Sequence, residues 1–190
     1  MSELAHLPRG LLTLEQWDAL DLDRTRRWEL SEGTLILSPR PHPRHQLISR
    51  RLTRLLEDHL PAGLEAVPEI EVTTSGAFPP SVRDPDIVVV PDRVFDQLPA
   101  RVAAADVVLV VEIVSAGSRG TDHVMKLHEY AEAGIENYWI VDLEAPADDQ
   151  FLAYRLDGGS YRRIPALDGD RVRVNEPTAL EFTLDMLTRR

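Results

Sequence analysis

Asp86-Ile87-Val88-Val89-Val90 and Val107-Val108-Leu109-Val110-Val111-Glu112-Ile113-Val114 are continuous, largely β-branched runs. A strand with one wet face alternates apolar and polar residues, so runs of this kind are expected where a strand is covered on both faces, in the middle of a sheet. Each run also carries one carboxylate. Asp86 heads the first, and Glu112 interrupts the second. An unpaired carboxylate buried there would cost several kcal/mol, so each must reach a cation, a hydrogen-bond donor or solvent at the sheet's edge.

Upstream, Thr13 and Gln16 form a capping box for a short helix through about Leu20. Trp28-Glu29-Leu30 and Thr34 to Leu37 flank Ser31-Glu32-Gly33 as a hairpin with Gly in the left-handed position, and Pro39, Pro41 and Pro43 end it. Residues 44–59 are helical, with Ile48, Leu52, Leu55 and Leu56 on one face and His45 a turn before Ile48 on the same side. Glu65 to Thr73 reads as a single strand. Downstream, a Ser- and Gly-rich loop over 115–121 precedes a helix from about Asp122 to Ala133, closed by Gly134. Tyr138 to Val141 is another buried strand. Phe151 to Leu156, Tyr161 to Ile164 and Arg171 to Val174 are antiparallel strands, and Leu184 to Arg190 is a short last helix. The expected class is an α/β or α+β mixed sheet with flanking helices and β-hairpins toward both ends.

The 190 residues make one domain spanning 1–190. The chain has no cysteine, which excludes disulfides, thiolate nucleophiles and cysteine-built zinc sites. No apolar run approaches a membrane span and no basic-then-apolar leader is present, so a cytoplasmic protein is expected. The net charge of −11 argues against a protein that coats nucleic acid. Residues 61–150 hold 17 acidic and five basic side chains, whereas the first 60 are neutral. Any nucleic-acid footprint therefore falls on the arginines of that first third, including Arg50 and Arg54.

Lys126 is the only lysine, against 20 arginines. In a chain that uses arginine for surface cations, a lone lysine suggests chemistry needing a compact ammonium. Two carboxylates at adjacent strand ends and a lysine are the parts for metal-assisted phosphodiester hydrolysis. The carboxylates suit Mg²⁺, with Mn²⁺ as a substitute, because Mg²⁺ accepts one or two carboxylates and otherwise keeps water. The ammonium then orients the attacking water and offsets charge on phosphorus. Glu71 is a candidate third metal ligand; His45, Ser115 and Tyr130 are candidates for contacting substrate. Plainer roles compete: a turn cap for Asp86, an arginine pair for Glu112, a bridge to Asp122 or Glu129 for Lys126, solvent for Glu71 and a hydrogen-bonded core position for His45.

The segments Arg83-Asp84-Pro85-Asp86, Val111-Glu112-Ile113-Val114-Ser115, Asp122-His123-Val124-Met125-Lys126 with Tyr130 and Gly134, and Asn137-Tyr138-Trp139-Ile140-Val141-Asp142 resemble the Uma-two family of restriction-endonuclease-like proteins, within the PD-(D/E)XK nuclease superfamily. The resemblance spans roughly residues 12–185. It implies a restriction-endonuclease-like core, Asp86 and Glu112 as metal ligands, and a type II-like endonuclease acting on DNA as a homodimer. In the superfamily a lysine follows the second carboxylate by two residues, and here Val114 stands there. The resemblance implies that the lysine has moved to the next helix, at Lys126. The alternative is a catalytically inactive module that keeps the fold for oligomerisation or partner binding.

Overall fold

The computed structural model describes residues 10–23, 25–38, 42–97, 99–114 and 122–189. Helix α1 (Leu14–Asp18) starts with the expected capping box between Thr13 and Gln16. Strands β1 (Arg27–Ser31) and β2 (Thr34–Ser38) pair around a two-residue turn. Glu32 and Gly33 both have positive φ, +46° and +74°, which matches the twist of a tight hairpin. A Cβ on Gly33 would lie 2.9 Å from the Leu11 Cβ. Both the turn and its packing therefore demand glycine.

Helix α2 (Pro43–Glu57) follows, with Pro43 in its first turn, where the missing N–H costs nothing. The single strand expected over 65–73 is instead two. β3 (Leu64–Pro68) ends at a proline, which cannot extend a ladder, and Glu69 adopts φ +53°. The chain then leaves its first sheet, and β4 (Val72–Ser75) joins another one beside β5 (Ser81–Arg83). The apolar runs become β6 (Ile87–Pro91) and β8 (Leu109–Ile113), separated by the short β7 (Val102–Ala103). Helix α3 (Asp122–Glu132) connects β8 to β9 (Asn137–Val141), which runs parallel to β8. Gly134, at φ +80°, follows α3 as its left-handed stop. β10 (Phe151–Asp157) and β11 (Ser160–Ile164) form a hairpin. β12 (Leu167–Asp168), β13 (Arg171–Val174) and β14 (Leu180–Thr183) make a small sheet, whose last strand sequence patterning alone does not reveal. The expected C-terminal helix is one 3₁₀ turn, Leu184–Leu187.

The central sheet has the order β11-β10-β9-β8-β6-β3, with β6 and β8 antiparallel neighbours in its interior. Its faces alternate as the pleat dictates. Ile87, Val89, Val111, Trp139 and Phe151 pack with Ile48, Leu52 and Leu56 of α2 and with Val172 and Phe182 of the small sheet. Val88, Val90, Val110, Tyr138 and Ile140 pack with Tyr130 of α3 on the other face. A second sheet, β2-β1-β5-β4-β7, has its own small core of Leu12, Trp17, Leu30 and Val82.

Candidate active site

Asp86 immediately precedes β6, and the β6–β8 register pairs Ile87 with Val111. Asp86 and Glu112 each lie one residue beyond that pair, which brings both to the same end of the sheet. Both are buried, at 2% and 8% exposure. Asp86 Oδ2 accepts from the Ile113 N–H at 2.7 Å and is 3.0 Å from His45 Nε2, in the first turn of α2. Asp86 Oδ1 accepts from Arg27 Nη1 at 2.7 Å, while Arg27 Nε donates to Asp84 Oδ2 at 2.9 Å.

Glu112 Oε1 accepts from two groups of α3, Lys126 Nζ at 3.1 Å and Tyr130 Oη at 2.7 Å. These residues are four apart and so lie on one face of the helix, as their spacing demands. Lys126 Nζ also lies 3.4 Å from Glu29 Oε1 on β1. The other oxygen of Glu29 is 3.3 Å from Arg83 Nη1, and Arg83 Nε donates to Glu129 Oε2 at 2.9 Å. The cluster thus draws on the end of the central sheet, on both longer helices and on the second sheet.

Among the described residues, five carboxylates, Glu29, Asp84, Asp86, Glu112 and Glu129, face three fixed cations, Arg27, Arg83 and Lys126. The excess registers at Glu112. Burial pushes its carboxyl up to about 7; Lys126 opposes the rise, and Asp86 and Glu29 add to it. At Asp86 burial acts in the same direction, but the hydrogen bond with His45 and the charge of Arg27 outweigh it, and its carboxyl lies below the ordinary value. Lys126 and Arg83 likewise overcome burial at Glu29. A negative excess on hard oxygen donors fits a divalent cation such as Mg²⁺, held by two carboxylates and otherwise by water. No group of three or more His, Asp or Glu side chains gathers with metal-binding geometry among the described residues.

The structure gathers Asp86, Glu112, Lys126, Tyr130 and His45 around one cluster. Glu71 accepts from Trp17 Nε1 at 3.3 Å, lies 3.5 Å from Arg101 Nε and lines one cleft with Arg27 and Asp84. Splitting the expected strand moves Glu71 out of β3 and ahead of β4. Arg50 and Arg54 lie on the exposed side of α2, with Arg54 Nε 4.0 Å from Asp58. Ser115 lies outside the described residues. At the position where the superfamily has its lysine, the Val114 N–H donates to Val141 O at 2.8 Å. The ammonium that reaches Glu112 comes from α3.

Sequence reasoning does not bring Arg27, Glu29 or Arg83 to this cluster, and it offers Glu129 only as a bridge to Lys126, whereas the structure pairs it with Arg83. Glu29 was the accessible signal, since it follows Trp28 and precedes Leu30 in a strand that packs inward. A cleft of about 800 Å³ adjoins the cluster and shares Arg27 and Asp84 with it; Trp17, Trp28, Gln46 and Arg101 also line it.

The family model Uma2, described as "Putative restriction endonuclease", matches residues 13–187. Among solved structures, a crystal structure described as "a putative nuclease belonging to DUF820" from Anabaena variabilis is similar, with a TM-score of 0.68 at 19% identity. The match covers 93% of this chain and 97% of that one. At that identity the likeness shows the fold, which is restriction-endonuclease-like. No curated protein matches the chain.

Proposed function

The chain belongs to the Uma2 family, and we propose that its buried cluster is the active centre of a metal-dependent endonuclease that hydrolyses DNA phosphodiester bonds. The observation that carries this reading is the meeting of Lys126 Nζ with Glu112 Oε1 at 3.1 Å, at the same end of the central sheet as Asp86. Asp86 and Glu112 would hold Mg²⁺ or Mn²⁺. When bound, the ion supplies a Lewis acid for the phosphoryl oxygen and a water of lowered pKa.

The chain's own residues do the rest. Lys126 is pinned by Glu112 and Glu29. Its ammonium would orient the attacking water and offset charge developing on phosphorus. Tyr130 donates to Glu112 Oε1 and so fixes that carboxylate's rotamer. His45 and the Ile113 N–H do the same for Asp86.

A second reading, a nuclease-fold module without catalysis, draws on one observation: Asp86 already has partners on both oxygens. Two experiments separate them. The first incubates plasmid and oligonucleotide DNA of many sequences with the wild type in Mg²⁺ or Mn²⁺. The second measures Mn²⁺ binding by calorimetry. Cleavage that falls at least 100-fold in Lys126→Arg, with Mn²⁺ affinity within a few-fold of wild type, supports the nuclease. Asp86→Asn should weaken Mn²⁺ binding. No cleavage and no divalent binding by the wild type leave the module.

A further inference from the structure

The two oxygens of Asp86 are held in different ways. Oδ2 takes the Ile113 backbone N–H and His45, groups fixed by β8 and by the first turn of α2. Oδ1 takes one long, flexible side chain, Arg27, at 2.7 Å. That guanidinium has a second anchor, since its Nε donates to Asp84 Oδ2 at 2.9 Å. Its Nη2 and the Asp84 Oδ1 are both buried without a hydrogen-bond partner. Arg27 and Asp84 also line the cleft of about 800 Å³ beside the cluster. The guanidinium therefore has one bond to Asp86, a second carboxylate to retain it, spare donor capacity and adjacent space.

We propose that Arg27 is the resident counter-ion of Asp86, and that loading the site with a divalent cation exchanges it for that cation while Asp84 keeps hold of Arg27. This rests on the metal-nuclease reading above and adds a gate to it. A guanidinium on Asp86 Oδ1 opposes an incoming cation twice, by occupying the oxygen's donor-facing side and by like-charge repulsion at short range in a poorly solvated setting. Apparent cation affinity is then the intrinsic affinity reduced by the small fraction of molecules in which Arg27 has left Asp86. An arginine suits this role better than a lysine, because its planar fork can release one carboxylate while staying bonded to the other.

Calorimetric titration with Mn²⁺ of the wild type, Arg27→Lys and Arg27→Met provides the test, together with ¹⁵N NMR of the arginine side chains during a titration with diamagnetic Mg²⁺. The Arg27 Nε signal is identified by its absence in Arg27→Lys. Arg27→Met is expected to bind Mn²⁺ at least tenfold more tightly than the wild type, with Arg27→Lys in between. In the wild type the Arg27 signal should move in step with Mg²⁺ occupancy. The NMR titration needs only the wild type to be folded and loaded, so it stands if the methionine variant does not fold. Cation binding by the wild type with an unmoved Arg27 signal and unchanged affinity in the folded variants overturns the exchange, yet leaves the metal reading intact. Absence of binding in the wild type and in both variants overturns both. Binding by Arg27→Met where the wild type binds nothing supports the gate in its strongest form.

Discussion

Glu112 holds its proton to about pH 7 in the folded protein, against an ordinary value of 4.5. Between those values the folded state keeps a proton that the unfolded chain has released, so the metal-free protein loses stability as pH rises through that window. A shift of this size corresponds to about 3 kcal/mol. Burial also raises the Asp84 carboxyl, against Arg27's pull, and adds a loss of the same sign. Glu112→Gln should remove the Glu112 share alone; chemical denaturation at pH 5 and pH 8, with chelator present, reads the difference. If the variant shows the same pH slope as the wild type, Glu112 is not the group responsible. Lys126→Met leaves Glu29 and Glu112 without their shared cation, and we expect it to cost about 3–5 kcal/mol, measurable by denaturant midpoint. At this scale the sequence was legible wherever a charge broke an apolar run: Asp86 and Glu112 stood out against their valines, and Lys126 against 20 arginines. Arg27 and Arg83 were not legible as members of the cluster, and Glu129 was legible only as a helix partner for Lys126. Their partners lie far away in sequence, and only the second sheet and α3 bring them together.

Among the elements, the β1–β2 hairpin shows how local sequence and packing agree. Gly33→Ala must force a left-handed φ on a residue with a Cβ and push that Cβ to 2.9 Å from Leu11. A loss of about 1–3 kcal/mol is expected from the strain and the clash, read as a lowered unfolding midpoint. Leu52→Ala, fully buried where α2 meets the central sheet, should cost about 2–5 kcal/mol in the same assay. The β-branched runs announced β6 and β8 because burial on both faces leaves no room for polar residues. The strand over 65–73 was misread for the opposite reason. Its alternation of Ile70 and Val72 with Glu69 and Glu71 is continuous, but the backbone turns at Pro68 and Glu69 and delivers the two halves to different sheets. Periodicity reports which face a residue occupies; it does not report which sheet owns that face.

For the molecule as a whole, no helix among the described residues is long and apolar enough to cross a membrane. Cutting both strands of a duplex is most simply done by two sites related by a two-fold axis, and we expect a homodimer on that ground. Sedimentation at tens of micromolar should give about twice the 21.4 kDa chain mass; a single-chain mass counts against it. On the nuclease reading, the acidic balance limits affinity for DNA. Arg50→Ala and Arg54→Ala should each lower binding to an oligonucleotide and reduce the steepness of its salt dependence by about one. The three tryptophans divide between two regions. Trp139 is 1% exposed under the central sheet, beside Phe151, whereas Trp17 and Trp28 line the cleft. The chain thus carries its own pair of optical reporters: with Trp17 and Trp28 replaced by Phe, the remaining emission belongs to the core and follows unfolding, while the signal so removed is the one that a cleft occupant would quench.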